Sequence, residues 1–177
     1  MDALHTHIDM GSFINASLLN ERSHNTPMDV SSFAEIEEEF IARVHSVIWC
    51  NMATVDRQGR PRSRIVHPIW DGAVGWSTSR RDAHKALHIA NNPYVSLAYV
   101  KDLAKPVYVD CRAEWEDDPA EKARVWEFIK NMPEPVGFDP GMMFNGLDDE
   151  KYGLLKFTPW RIDLVTGPRQ SLVWRAD

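Results

Sequence analysis

A mainly β domain, a small barrel of six to seven antiparallel strands with peripheral helices, is the fold this sequence predicts. Three observations predict it. From Val47 onward most segments alternate apolar and polar residues with period two. Turn signals separate them at Asp56–Gly59, Asp71-Gly72 and Gly167-Pro168. Helical spacing is confined to three short stretches. Consecutive antiparallel strands of this number close on themselves, which removes exposed edges.

The elements follow in order. Residues 1–30 are polar and irregular and read as an N-terminal extension, either a dimer arm over a partner subunit or disordered. Residues 31–177 read as a single domain. Ser32 and Glu35 have the spacing of a capping box, and Phe33, Ile36, Phe40, Val44 and Val47 recur at helical intervals. A helix is therefore expected over 32–46. Strands are expected at Val47–Val55, Arg60–Trp70 and Ala73–Ser79. A short helix over Ala83–Asn91 is stopped by Asn92-Pro93.

Tyr94–Val100 reads as the fourth strand. Val107–Glu116 is the fifth, with Val107, Val109, Cys111, Ala113 and Trp115 sharing one face. Asp118-Pro119-Ala120-Glu121 opens a helix: an N-cap, a proline at the first position and an acid at the third. That helix ends before Pro133. Residues 133–151 hold three prolines and three glycines and read as a long loop, a candidate lid. Two strands, 153–165 and 171–175, complete the chain.

Composition excludes several classes of function. Twenty Lys+Arg against 26 Asp+Glu give a net charge of −6, which argues against general nucleic-acid binding. An anion site in such a chain must be a local cluster of cations. No apolar run is long enough for a membrane helix. The start, MDALHTHIDMGSF, lacks a basic segment followed by an apolar stretch, so the expected location is cytoplasmic. Two cysteines, Cys50 and Cys111, are too few for a disulfide framework or a structural zinc site.

Several groups of residues are candidates for chemistry. Arg60, Arg62 and Arg64 fall on one face of the second strand, about 7 Å apart from one to the next. They form either a solvated face paired with carboxylates or one wall of an anion site. Thr78-Ser79-Arg80-Arg81-Asp82-Ala83-His84-Lys85 leaves a strand and opens a helix, a sequence of hydroxyls, backbone N–H groups and a lysine suited to a phosphate. It lacks the glycine pattern of a P-loop, so nucleotide triphosphate chemistry is unsupported.

His5-Thr6-His7 with Asp9 has the spacing of some metal sites but no downstream ligand cluster, so no metal is expected. His45, on the first helix, and His67, before a proline, read as structural. Cys50 sits among apolar neighbours and no nucleophile elbow exists, which argues against a hydrolase. Trp49, Trp70, Trp76, Trp115 and Trp126 read as core. Trp160 and Trp174 wall either a pocket or a subunit interface.

The order of these elements, with RPRSRIVHPIW, GWSTSRRDAHKALHIANNPYVSLAY, KPVYVDCRAEW and FTPWRIDL, resembles the pyridoxamine 5′-phosphate oxidase-like flavoproteins over residues 32–175. The resemblance implies a split β-barrel, and a homodimer with FMN held at the subunit interface. It places Arg64, Ile65 and Val66 on the strand lining the cofactor, and Thr78 and Ser79 after the third strand. It sets His84 and Lys85 on the phosphate, and Arg175 near the flavin from the last strand.

The chain departs from the oxidase proper at Pro106, where glutamine is usual, at Val165, where tryptophan is usual, and over Ser171–Arg175. The Arg-Leu-x-Pro tail is also missing. These departures imply a small-molecule substrate other than pyridoxamine phosphate, with the catalytic residues unassigned. The reading is therefore an FMN-dependent oxidoreductase. The alternatives are a reductase using the deazaflavin coenzyme F-420 and a non-catalytic flavin-binding or storage module.

Overall fold

A computed structural model describes residues 27–176. Strands β1 (Met28–Val30), β2 (Cys50–Val55), β3 (Pro61–Val66), β4 (Ile69–Asp71) and β5 (Val74–Arg80) occupy the first half. Strands β6 (Tyr94–Tyr99), β7 (Val107–Glu116), β8 (Tyr152–Gly167) and β9 (Gln170–Arg175) occupy the second. Helices α1 (Glu37–His45), α2 (His84–Asn91) and α3 (Pro119–Asn131) lie between them.

One path through the sheet runs β1-β9-β8-β7-β6-β2-β3, and β5 joins it on β8 while pairing with β4. The sheet forks at β8. Its first half, Tyr152–Phe157, pairs with β5, and its second half, from Arg161, pairs with β9, while β7 lies along both. This is the mainly β, split-barrel architecture expected from the sequence.

Nine strands form where six to seven antiparallel ones are expected, for two reasons. Pro68 has no N–H for a ladder, and the expected second strand breaks there into β3 and β4. Met28–Val30, in the segment read as an extension, forms β1 and pairs with β9 in parallel. The first helix is also shorter than expected. A 3-10 turn at Phe33–Glu35 precedes α1, and the Glu35 carboxylate accepts from the backbone N–H groups of Ser31 and Ser32 at 2.9 Å.

Two apolar clusters make the core. In the first, Ile36, Phe40 and Val44 pack with residues of β2, β6, β7 and β8. Phe40 meets Trp70 edge-on at 4.9 Å. The Trp70 indole donates to the Tyr99 hydroxyl at 2.8 Å, and its backbone N–H donates to His45 Nε2 at 3.1 Å. A Cβ on Gly75 would stand 3.1 Å from the Trp70 ring, so that position needs glycine for close approach.

The second cluster joins Ile69 and Trp76 to Val125, Trp126 and Ile129 of α3, with Phe144, Tyr152 and Leu154. Phe144 comes from the 133–151 segment, which is a packed wall with a 3-10 turn at Pro140–Met142 rather than a structureless loop. Asp118 caps α3 as expected, its carboxylate accepting from the backbone of Ala120 at 2.8 Å and Glu121 at 2.9 Å. Trp174 packs on Phe33, whereas Trp160 and Trp49 are exposed. Trp49 is thus no core residue: it falls just before β2, outside the alternation that buries Cys50 and Met52.

Candidate functional site

Strand β3 separates two cavities. Between it and the start of α2 lies an open cleft of about 560 Å³, lined by Arg57, Arg60, Arg62, Arg64, His84, Lys85 and His88. The period-two spacing aligns the three β3-side arginines, and the turn after β5 delivers α2 end-on. Ala83 occupies the α2 N-cap and provides no side-chain cap, and with His84 and Lys85 it lines the cleft, so the helix start lies at the cleft.

Among the described residues lining this cleft, Asp56 is the only carboxylate. It holds the β2–β3 turn, accepting from the backbone of Gln58 and Arg60 at 3.0 Å and from Arg60 Nε at 2.9 Å. Arg62 stands 4.0 Å from it.

Arg64 has no carboxylate partner among the described residues. Its Nη2 donates to Thr54 Oγ1 at 3.0 Å and to His88 Nδ1 at 3.1 Å, while Nη1 is buried without a partner. Burial and then Arg62 push the Arg64 guanidinium below its ordinary pKa. Burial and then Arg64 do the same to the Lys85 ammonium. Both cations are held where their charge is uncompensated, a condition that a bound anion relieves.

The second cavity, about 460 Å³, is mostly apolar. Trp49, Ile65, Val66, His67, Ser77, Thr78 and Lys85 line it from the barrel, and Pro135, Phe138, Met142 and Met143 from the 133–151 segment. Lys85 lines both cavities. The His67 ring lies between Trp49 and Phe138, 5.3 Å from each ring centre. Its Nε2 is buried without a partner. Burial lowers the His67 pKa to about 4, partly offset by a hydrogen bond with the Val136 backbone.

The structure thus gathers Arg64, His84 and Lys85 at the basic cleft, and Ile65, Val66 and Thr78 with Lys85 at the apolar one. Ser79 and Arg175 lie elsewhere. Ser79 is buried and its hydroxyl turns to the Arg80 carbonyl at 3.4 Å. Arg175, on the far strand of the sheet path, pairs with Asp29 of β1. Trp49, His67, Phe138 and the two methionines are site residues that sequence reasoning missed. For His67 the signal was position alone, since it directly follows Ile65 and Val66, which line the same slot.

Other candidates resolve differently. His45 is a backbone acceptor, and the Cys50 thiol is pushed up to about 12 by burial, so it is no nucleophile. His5, Thr6, His7 and Asp9 lie outside the described residues. Among the described residues no three His, Cys, Asp or Glu side chains gather as metal ligands.

The fold is a mainly β split barrel that sets a cationic cleft against an apolar slot. Residues 36–165 match the family model described as pyridoxamine 5′-phosphate oxidase, and the chain belongs to that family. No curated protein matches it.

Among solved structures it is similar to General Stress Protein 26 of Bacillus anthracis, at 20% identity over 80% of this chain and 99% of that one, TM-score 0.62. It is also similar to a pyridoxamine 5′-phosphate oxidase-related, FMN-binding protein of Nostoc punctiforme, at 13% identity over 76% and 84%, TM-score 0.53. An F-420 reductase matches at 19% identity over 68% and 93%, TM-score 0.50. At these identities the likeness shows the fold.

Proposed function

We propose that this chain binds FMN and acts, as a homodimer, as an oxidoreductase on a small molecule other than pyridoxamine phosphate. One observation carries the reading: Lys85 lines both the cationic cleft, where it and Arg64 lack a carboxylate partner among the described residues, and the apolar slot beside it. A flavin mononucleotide has that division, a dianionic phosphate at one end and a flat apolar ring at the other. The orphaned Nη1 of Arg64 and the uncapped start of α2 fit the phosphate.

When bound, FMN supplies hydride chemistry at its ring. The chain's own residues do the rest. Arg64, His84 and Lys85 would hold the phosphate, Ile65 and Val66 would hold the ring edge, and Phe138, Met142 and Met143 supply one apolar wall of the slot.

The positions that depart from the oxidase have structural tasks in this chain. Val165 donates its N–H to the Pro106 carbonyl at 3.2 Å, and its own carbonyl accepts from Arg43 at 2.6 Å. Trp49, Ile65, Met142 and Met143 line the slot yet remain exposed, and a second copy of the chain is the cover that suits them. Such a copy is also the source of an Arg175 for the flavin, because the chain's own Arg175 lines neither cavity.

Arg57 and Arg62 add cations to the cleft beyond Arg64, His84 and Lys85, which favours coenzyme F-420, with its longer anionic tail, as a second reading. Titration with FMN, riboflavin and the deazaflavin, followed by visible absorbance and fluorescence, separates the readings. FMN binding well above riboflavin, with a bound-flavin spectrum reducible by a nicotinamide cofactor, is expected. Uptake of the deazaflavin alone supports the second reading. Tight FMN that no reductant or acceptor turns over points to a storage module. No uptake of either cofactor overturns both cofactor readings.

A further inference from the structure

We propose that His88 positions Arg64 for the cofactor phosphate, its Nδ1 accepting a hydrogen bond from the guanidinium and holding that charge at the cleft. The inference rests on the FMN reading above and adds a positioning residue to the phosphate end of the site.

His88 lies on α2 one turn beyond His84 and Lys85, so all three share the helix face that lines the cleft. Its Nδ1 stands 3.1 Å from Arg64 Nη2 and 2.9 Å from Thr54 Oγ1. Arg64 Nη2 also donates to Thr54 Oγ1 at 3.0 Å, which closes a triangle. A guanidinium nitrogen can only donate. Nδ1 is therefore the acceptor, and the neutral imidazole carries its proton on Nε2. Burial, and then Arg64, lower the His88 pKa, in agreement with a neutral ring. Thr54 is buried on β2, so the triangle has a fixed base.

The chemistry of the two acceptors indicates their task. A carboxylate also holds a guanidinium, but it cancels the charge. Asp56 does so for Arg60, accepting from its Nε at 2.9 Å. Arg64 is held instead by a hydroxyl and an imidazole, and it has no carboxylate partner among the described residues. Neutral acceptors fix the planar fork and leave its positive charge for an anion. Loss of Nδ1 should loosen Arg64 and weaken the hold on the phosphate, while the contribution of the flavin ring stays the same.

The test reads the ratio of the riboflavin to the FMN dissociation constant, by fluorescence titration with no turnover needed. That ratio isolates the phosphate. His88→Leu should lower it by about tenfold, the value of one hydrogen bond to a charged group. His88→Asn, whose amide oxygen can take the place of Nδ1, should regain most of the ratio. His88→Gln, whose longer side chain mimics Nε2, should not. In Arg64→Met, adding His88→Leu should change the ratio no further. An unchanged ratio in His88→Leu overturns the inference. An Asn variant no better than Gln also overturns it, because Nε2 then touches the phosphate directly or the role is merely structural. So does a His88→Leu loss that persists in Arg64→Met. Native protein that binds FMN no better than riboflavin overturns the inference and leaves flavin binding standing. Native protein that takes up no FMN overturns both. The comparison of Asn with Gln decides even if His88→Leu fails to fold.

Discussion

Lys85 is the residue on which the two cavities depend. Burial and Arg64 hold its ammonium below the ordinary lysine pKa, so the folded state disfavours the charge it carries at neutral pH. The unfolded chain binds the proton more tightly, and cofactor-free protein should therefore gain stability as pH rises through the depressed value toward the ordinary one. Lys85→Gln should weaken FMN by tenfold or more while leaving the thermal midpoint of the cofactor-free protein unchanged or higher. Fluorescence titration and thermal unfolding read the two effects separately.

His45 and His67 give the opposite end of the pH range. Burial lowers both, so the unfolded chain takes up protons near pH 6.5 while the native chain resists. Their stabilisation is complete above about pH 6.5 and is lost as pH falls, for His67 toward about 4. A protonated His45 also loses its bond from the Trp70 backbone. Thermal midpoints measured from pH 7.5 downward should fall, and less steeply in His67→Phe. Among these residues Arg64 and Lys85 were legible in the sequence, because strand parity and a helix start place cations without tertiary information. The exposure of Trp49 and the orphaned nitrogen of His67 were not, because both depend on where the 133–151 segment packs.

At the scale of elements, that segment is the clearest departure from the linear reading. Its prolines and glycines suggest a loose loop, yet Phe144 and Pro140 are buried and four of its residues wall the slot. Gly137 makes the packing possible: a Cβ there would stand 2.1 Å from the Met132 carbonyl oxygen and 2.9 Å from that of Ile129. Gly137→Ala should dislodge the segment from the end of α3. The thermal midpoint should drop by several degrees, and FMN affinity should fall with it, although residue 137 lines neither cavity.

Most elements were readable from period and caps. Val107–Glu116 and the Asp118 cap match the expectation closely because alternation and capping are local. The break between β3 and β4 was under-read because Pro68 lies inside an otherwise apolar alternation. Strand β1 had no local signal, since three residues acquire strand geometry only by pairing with β9.

For the whole molecule, a net charge of −6 surrounds one cleft of the opposite sign. FMN affinity should therefore fall with ionic strength while riboflavin, lacking the phosphate, responds little; titrations at two salt concentrations check this. If a second copy covers the exposed rim of the slot, dilution should release subunit and cofactor together, and gel filtration with absorbance detection should show no cofactor-loaded monomer.

The fork at β8 has a further consequence, for the way the protein comes apart. The same strand places Leu155, Phe157, Ile162 and Leu164 in one core and Tyr152 and Leu154 in the other. Neither core can dissolve without unzipping a strand that the other requires. The two therefore form a single cooperative unit, and β8 amides should exchange only through global unfolding. Because β8 pairs with β5 across a long stretch of chain, that pairing raises the contact order, and pulse-labelled β5 amides should gain protection later in refolding than those of the local β8–β9 hairpin.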